Sequence, residues 1–335
     1  MQTESPGNNE SQDRVWVKDI ASGQAIKSLF QITRLDLREF ERGKFLLLRL
    51  GDKTGKISAV MWEQAEEASK VIVEGDIVIV QGRASIYQGE IQVKIKTITK
   101  FEDQSQINIT DFLPSSPTPV KKLIADFDEI IETIADEDYK ELLLSFRCDD
   151  DLWNRFTTAP GAKRWHHPYI HGLLDHTLSV VKICRLIAPF YPEINPDLLL
   201  TGAVFHDCGK LEEYIYDTKI DFSTEGRLVG HLFQGSFIVE RLITQIDGFP
   251  AEKRMLLLHM MASHHGEIER SPVFPMTIEA CFLHHIENMD AQMTAIRREM
   301  KIAQKENKSW TKYINLMGRA LYLGENQAPS NNTDE

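Results

Sequence analysis

The sequence lacks the features of several common classes of protein. Its 335 residues include only four cysteines, and none of them forms a CxxC pair: Cys148, Cys184, Cys208 and Cys281. This spacing argues against a disulfide framework and a structural zinc knuckle, and it is typical of the reducing cytoplasm. No apolar run reaches the roughly 18 residues of a membrane helix, so we expect no association with a membrane.

Several catalytic motifs are also missing. The chain has no GxSxG nucleophile elbow, no P-loop and no GxGxxG turn, so acyl transfer and nucleotide-triphosphate switching have no support. The amino-terminal segment MQTESPGNNESQD has no basic patch followed by an apolar run, and it does not look like a secretory signal. We expect residues 1–13 and 324–335 to be disordered tails.

Positive charge is unevenly distributed. The net charge is −12, yet residues 14–100 hold 15 Lys and Arg against 11 Asp and Glu, which leaves −16 for the remainder. An evenly spread negative charge would argue against a nucleic-acid partner, because phosphate binding depends on basic surface. This chain instead has a mildly basic end and a strongly acidic remainder.

Residues 14–100 show the pattern of a small β-barrel. The segments KISAVMW and EIQVKIKTI alternate apolar and polar residues, as strands with one buried face do. Gly51, Gly55 and Gly89 mark turns between such runs. About five strands, with a helical interruption at EQAEEASKVI, predict a five-stranded OB-type barrel.

Residues 120–323 predict an all-α domain, so the expected fold class is multidomain α+β. Apolar residues recur with a 3.6-residue period in LLDHTLSVVKICRLIAPF and LFQGSFIVERLITQI, and strand signals are absent. Residues 101–119 include the proline-rich stretch FLPSSPTPV and predict a linker.

All 11 histidines fall in the predicted helical domain, several of them where a helix would otherwise be apolar. The candidate metal ligands are spaced about 25 to 33 residues apart, which is one helix plus one turn. Each could therefore come from a different helix of a bundle. These candidates are His176, His206, Asp207, His231, His264, His265 and Asp290.

A core histidine bonded to a backbone carbonyl is the simpler interpretation of any one of these residues. The pair His206 and Asp207 in TGAVFHDCGK changes that, because a buried carboxylate needs a hydrogen-bond network or a cation. We expect Asp207 to bridge two divalent ions. Imidazoles with carboxylates suit Mn²⁺, Fe²⁺, Co²⁺, Ni²⁺ or Zn²⁺ better than Mg²⁺.

A two-metal site of this kind predicts hydrolysis of a phosphate ester, because the ions generate a hydroxide and clamp both oxygens of an in-line displacement. Asp207 and Lys210 are the predicted catalytic residues, with Lys210 reaching a substrate phosphate. The other histidines are expected to be structural or surface groups, with His171 the best candidate among them for substrate binding: His166, His167, His171, His259, His284 and His285.

The series of histidines and aspartates resembles the HD-domain superfamily of metal-dependent phosphohydrolases, and HDCGK is similar to its HDxGK signature. The order of barrel and HD domain, with GLLDHTLSVV, EGRLVGHLFQG and SHHGE, resembles the YhaM-type 3′-to-5′ exoribonucleases from Val15 to Leu323. This resemblance implies a cytoplasmic, manganese-preferring enzyme that trims single-stranded RNA, and often DNA, from the 3′ end.

The same resemblance implies how the ligands divide between two ions. The first ion would be held by His176, His206, Asp207 and Asp290, and the second by Asp207, His231 and His264. The motif leaves open whether His265 binds the metal or the substrate.

The predicted barrel bears on the choice between a polymer and a small nucleotide. OB folds bind single strands through a basic groove and through aromatic faces on which bases stack. The candidate contacts are Phe45, Trp62, Tyr87, Arg83 and Lys94, with Tyr87 near a strand end as the preferred stacking residue. Any single aromatic residue of this group can equally be interpreted as part of the barrel core.

Two alternatives stay open on the sequence. The first is an HD phosphohydrolase of small or cyclic nucleotides whose barrel serves regulation or assembly. The second is a nucleic-acid adaptor that retains a metal centre without catalysis. The apolar segment SWTKYINLMGRALYL could pack on its own domain, which we favour, or on a second copy, so a homo-oligomer also stays open.

Overall fold

The computed structural model describes residues 14–41, 43–103, 107–163, 165–216, 219–266 and 271–324. These divide into two units, here called the barrel unit and the helical unit, with the boundary between Ser115 and Ser116. Tyr216 and Lys219 are the exception, since they group with the barrel unit. This boundary falls inside the predicted linker, residues 101–119. The predicted tails lie outside the described residues, except for Gly324.

The barrel unit is a closed barrel of five strands, as predicted. The strands are β1 Ala25–Phe40, β2 Gly43–Asp52, β3 Gly55–Met61, β4 Ile77–Tyr87 and β5 Glu90–Lys100. Their order around the barrel is β1, β2, β3, β5, β4. Strand β1 pairs with both β2 and β4, which closes the barrel, and the pairing of β3 with β5 is parallel. The predicted helical interruption is the helix α1, Ala65–Val71.

Alternation along these strands separates the barrel core from its surface. Inward side chains include Phe30, Ile32, Leu46, Leu48 and Val80, all of them buried. Outward positions on β4 and β5 carry exposed cations, namely Arg83, Lys94 and Lys96. Because successive side chains of a strand point to opposite faces, the register that buries the core also places these cations outside.

The segment that follows β5 packs onto the barrel unit. Asp111 accepts hydrogen bonds from Arg14 at 2.7 Å and from Lys53 at 2.8 Å. The next two residues, Phe112 and Leu113, are buried. Residues 111–113 of the predicted linker are therefore held in place by ion pairs and by burial of their apolar side chains.

The helical unit contains ten α-helices in the part of the chain that the structure describes. It also contains the strands β6, Tyr214–Ile215, and β7, Asp221–Phe222, which pair antiparallel. The prediction that strands are absent was wrong here, since two residues are too short to show an alternating pattern. The helices are α2 Val120–Thr133, α3 Glu137–Cys148, α4 Asp150–Thr158, α5 Gly172–Ile187, α6 Pro196–Phe205, α7 Lys210–Glu213, α8 Thr224–Val229, α9 His231–Ile243, α10 Ala251–Ser263 and α11 Ile278–Lys305.

Helix α6 positions His206 and Asp207 in the interior of the helical unit, where both are buried. The side chain of Asn195 caps its first turn by accepting from the backbone N–H groups of Asp197 and Leu198, and Pro196 occupies the first helical position. The helix ends at Phe205, so His206 and Asp207 follow at its carboxyl end. Across the described residues, no helix has the length and apolar character needed to cross a membrane.

Candidate active site

Asp207 lies at the centre of a ring of histidines and is only 1% exposed. Its Oδ2 is 3.4 Å from Nε2 of His176 and 3.4 Å from Nε2 of His206. Its Oδ1 is 3.8 Å from Nε2 of His231 and 3.8 Å from Nε2 of His264. The structure therefore brings together four predicted histidines from four separate segments, two on each oxygen of one carboxylate.

The same nitrogen of each of these four histidines faces Asp207, because the other nitrogen is engaged. In each ring Nδ1 lies at hydrogen-bonding distance from an oxygen, which leaves Nε2 on the side of Asp207. Nε2 of His206 is also 3.3 Å from Nε2 of His176, and Nε2 of His231 is 2.9 Å from Nε2 of His265. The partners of Nδ1 are Asp290 at 2.9 Å for His176, the carbonyl of Ala203 at 2.8 Å for His206, Glu213 at 3.0 Å for His231, and the carbonyl of Met261 at 3.0 Å for His264. Such a set of oriented imidazoles is typical of metal sites.

Lys210 and Asp207 form a buried ion pair inside this ring. Lys210 Nζ donates to Asp207 Oδ2 at 2.6 Å and to the carbonyl of Gly161 at 2.7 Å, and the lysine is 4% exposed. Burial alone would raise the pKa of Asp207, but Lys210, His206 and His176 together hold that pKa well below its ordinary value. Asp207 is therefore a carboxylate at neutral pH. Lys210 was predicted to reach a substrate phosphate; here its ammonium group pairs with Asp207, three residues earlier in the chain, so contact with a phosphate stays a prediction.

The ring of histidines around Asp207 favours a protonated imidazole at His176 and neutral imidazoles at His264 and His265. Burial would lower the pKa of His176, yet Asp207 and Asp290 raise it to about 9. Burial lowers the pKa of His264 well below its ordinary value, and burial with the nearby His231 lowers that of His265 to about 3. Neutral imidazoles keep the lone pair that a metal requires.

Several buried polar atoms in the ring have no hydrogen-bond partner among the described residues. These include Asp207 Oδ1 and His264 Nε2, which face each other at a separation beyond hydrogen-bonding distance. The ligand atoms of His231, His264 and His265 all lie within 4.8 Å of one another. Leaving such groups unpaired costs roughly 1–3 kcal/mol each. A divalent cation would satisfy them, and the imidazole and carboxylate donors present fit one.

The barrel unit carries a separate candidate surface, here called the basic groove. It is a groove of about 550 Å³ on the outer face of β1, β4 and β5. Exposed cations are common among the residues that line it, which include Lys27, Arg83, Lys94, Lys96 and Trp62. Four cations around one groove are suited to a polyanion.

Two of the predicted stacking residues contact each other. Phe45 and Trp62 stack with ring centroids 4.6 Å apart, and Phe40 meets the edge of Trp62 at 5.3 Å. One face of Phe45 is therefore covered by protein, which lowers its value as a platform for a base. Trp62 is 51% exposed and Tyr87 is 57% exposed, so both still present ring surface to solvent.

Comparison with known proteins identifies both units. Residues 173–292 match the HD domain, and residues 31–101 match an OB-fold nucleic acid binding domain. The 3′-5′ exoribonuclease YhaM of Geobacillus sp. (strain WCH70) is 32% identical over 260 residues, covering 77% of this chain and 79% of that protein. That of Bacillus subtilis (strain 168) is 31% identical over 263 residues, covering 77% and 81%.

The chain belongs to the YhaM family. With its HD domain, it is a metal-dependent hydrolase that acts on phosphodiester bonds. The ring around Asp207 lies within the matched HD segment, so the residues that fit a cation are those of the domain that carries the chemistry.

Asp290 lies beside His176 in this YhaM-family site, in a group with His167 whose ligand atoms are all within 4.8 Å of one another. It lies on α11 with Oδ2 at Nδ1 of His176, whereas Nε2 of His176 faces Asp207. The hydroxyl of Ser179 donates to the other carboxylate oxygen of Asp290. In this arrangement Asp290 orients His176, and a direct bond from Asp290 to a metal stays a prediction.

Three residues of the site were missed on the sequence. His166 and His167 were assigned to structural or surface roles, but both are buried, with ring centroids 4.7 and 5.3 Å from that of His176. Glu213, which orients His231, belongs to no motif that the sequence shows. The two histidines precede α5 in a loop, where helical periodicity predicts no direction for a side chain.

The remaining histidines have the structural or surface positions expected of them. Nδ1 of His171 lies 2.5 Å from the carbonyl of Thr157 and joins the start of α5 to α4, so substrate binding by His171 stays a prediction. His259 accepts from the backbone N–H of Met276 at 2.9 Å, and His284 bonds the carbonyl of His264 at 2.9 Å.

Gly209 in the HDCGK segment allows two backbones to meet next to the site. A Cβ at this position would lie 1.9 Å from the carbonyl oxygen of His231. Any other residue would push the start of α9 away. The glycine therefore helps to place His231 opposite Asp207.

Proposed function

We propose that this chain is a 3′-to-5′ exoribonuclease that removes nucleotides from single-stranded RNA. The observation that carries the proposal is that the two oxygens of Asp207 face two pairs of oriented histidines. The names of its YhaM relatives, which are 3′-5′ exoribonucleases, support the direction and the substrate.

The donor set supports a centre of two divalent ions. His176, His206 and Asp207 would hold one ion, and Asp207, His231, His264 and His265 the other. Mn²⁺ is our first choice, and Fe²⁺, Co²⁺, Ni²⁺ and Zn²⁺ suit the same donors. When bound, such ions supply a hydroxide at neutral pH and stabilise charge on the phosphoryl oxygens.

The residues of the chain prepare this chemistry by orientation and charge. Asp207 is ionised and held at Oδ2 by Lys210, which leaves Oδ1 directed at His231 and His264. Asp290 and Glu213 fix the rings of His176 and His231. Preorganised groups of this kind need no rearrangement when charge develops on the substrate.

The basic groove supports a polymer as substrate. Single strands are held by cations along the backbone and by aromatic rings under the bases, and neither contact requires a particular sequence. Arg83, Lys94 and Trp62 line the groove, and Tyr87 ends the strand β4 that contributes to it. Because these contacts do not involve the sugar, we propose that single-stranded DNA also binds.

We also propose that the enzyme works in the cytoplasm. Cys148, Cys184, Cys208 and Cys281 are all free thiols in the structure. Free thiols are typical of a reducing compartment.

The test is digestion of a single-stranded RNA labelled at its 5′ end, with Mn²⁺ added to protein that has been stripped of metal. A ladder of labelled products that shorten from the 3′ end supports the proposal. An intact strand, with hydrolysis of mononucleotides or cyclic nucleotides in the same buffer, would instead support the small-nucleotide alternative. A DNA strand of the same sequence tests the choice of sugar.

Asp207→Ala and Asp247→Ala provide the matched pair for this test. Asp247 is an exposed aspartate outside the site, so its loss should leave the ladder unchanged. Loss of the ladder with Asp207→Ala alone assigns the activity to the ring and not to a contaminating nuclease.

A further inference from the structure

His166 is a buried side chain that the proposed chemistry does not use. It lies in the loop between α4 and α5 and is 7% exposed. Neither of its ring nitrogens has a hydrogen-bond partner among the described residues. Buried side-chain nitrogens are nearly always bonded, so a group other than these protein atoms must satisfy this ring.

The surroundings of His166 indicate what that group is. Ligand atoms of His166, His176 and Asp207 all lie within 4.8 Å of one another. Lys210 pairs with Oδ2 of Asp207, and Oδ1 has no hydrogen-bond partner among the described residues. An anion such as a phosphate would leave Oδ1 unpaired, whereas imidazole nitrogens with a carboxylate oxygen are the donors of a divalent cation.

Backbone contacts on both sides of His166 hold the loop: Arg298 donates to the carbonyl of Trp165 at 3.0 Å. On the other side of His166, His167 has a φ of 45° and its carbonyl accepts from the backbone N–H groups of Gly161 at 3.0 Å and Tyr169 at 2.8 Å. A Cβ on Gly172 would lie 2.1 Å from the same carbonyl oxygen. A non-glycine residue in the left-handed region persists where the surrounding structure holds it there, as it does at functional sites.

We propose that His166 is a further ligand of the metal centre, on the side of Asp207 that faces His176 and His206. This inference rests on the metal centre of the proposed function, but not on its polymer substrate. His166 would add a third imidazole nitrogen to this position. Mg²⁺ prefers oxygen ligands, so the position should prefer transition metals such as Fe²⁺, Ni²⁺ or Zn²⁺ over Mg²⁺.

The test measures metal binding directly. Metal-free protein is titrated with Mn²⁺ and with Co²⁺ by calorimetry, and the visible absorption of the Co²⁺ form is recorded. His166→Phe keeps the volume of a ring and removes both nitrogens. We expect one of the bound ions to bind about 100-fold more weakly. Loss of a residue that only orients a metal ligand weakens metal binding by about 10–100-fold, so loss of a ligand itself should reach the upper end of that range. The Co²⁺ spectrum should change as well.

His285→Phe is the matched control, because His285 is exposed on α11. Its affinity and Co²⁺ spectrum should equal those of the unaltered protein. If His166→Phe also equals the unaltered protein in stoichiometry, affinity and spectrum, His166 is not a ligand and the inference is overturned.

Folding and catalysis are separated by two further measurements. If His166→Phe loses its thermal transition, His166→Gln is titrated instead and judged by the same criterion. RNA digestion by the unaltered protein is measured in parallel. Metal binding that depends on His166 without RNA digestion would overturn the exoribonuclease proposal alone, and digestion with unchanged metal binding in the variants would overturn this inference alone.

Discussion

The two units of the chain use charge in opposite ways. The barrel unit buries apolar side chains and keeps Lys27, Arg83, Lys94 and Lys96 in solvent. The helical unit buries Asp207 and Lys210 together with the rings that face them. An exposed cation contributes a screened, replaceable attraction, whereas a buried carboxylate depends on each of its partners. Binding on the barrel should therefore tolerate single substitutions, and chemistry in the ring should not.

The sharpest test of this contrast is Asp207→Asn. We expect turnover of RNA to fall by about 100- to 1000-fold, the scale for removal of a group that organises transition-state charge. The free energy of unfolding should fall by about 3–5 kcal/mol, because Lys210 is left buried without its carboxylate. Initial rates and urea unfolding measure the two effects.

The double variant Asp207→Asn with Lys210→Met separates stability from catalysis. Removing both charges should restore most of the free energy of unfolding, while turnover stays lost. Normal turnover in either variant would show that the buried pair is dispensable, and the contrast between the units would fail.

The next largest effect is expected for Glu213→Gln. Glu213 accepts from Nδ1 of His231, and loss of its charge weakens the orientation of that ring. Metal affinity and activity should fall by about 10–100-fold, as for other residues that orient a ligand. Equilibrium dialysis with Mn²⁺ gives the affinity, and Glu252→Gln, at an exposed position of α10, serves as control. An unchanged affinity would mean that the backbone alone positions His231.

A smaller effect is expected on the barrel from Tyr87→Ala compared with Phe45→Ala. Tyr87 should lose about 1–3 kcal/mol of RNA binding with little change in stability, since it is exposed at the end of β4. Phe45 should instead lose stability, because its ring stacks on Trp62. Fluorescence anisotropy and urea unfolding give the two free energies. If Phe45→Ala instead weakened RNA binding and Tyr87→Ala lowered stability, the bases would stack on Phe45 and not on Tyr87.

The smallest effect at physiological salt is expected from Arg83→Ala with Lys94→Ala. Loss of two phosphate contacts should weaken RNA binding about tenfold and reduce the slope of log affinity against log salt by about 1.4. Hydrolysis of a dinucleotide should be unaffected. The pair Lys18→Ala with Lys70→Ala removes the same charge elsewhere on the barrel unit. Equal losses from both pairs would argue for diffuse attraction without a groove.

Much of the fold could be predicted because its signals are local. Alternating residues in KISAVMW and EIQVKIKTI identified strands, and the 3.6-residue period identified helices. The strands β6 and β7 were missed, since two residues carry no period. The stacking of Phe45 on Trp62 was also missed, because it depends on the pairing of β2 with β3.

The sequence by itself determined which residues could serve the site. Histidines and aspartates in apolar helical segments are costly to bury alone, so their presence indicated a common partner. Their spacing of one per helix followed from the length of a helix and its turn.

Only the tertiary structure decided how those residues face one another. It directed Nε2 of four histidines at Asp207, turned Lys210 inward, placed Asp290 at the far nitrogen of His176, and buried His166 beside them. The physical reason is that the direction of a side chain depends on hydrogen-bond partners and packing from distant segments, which no local pattern records.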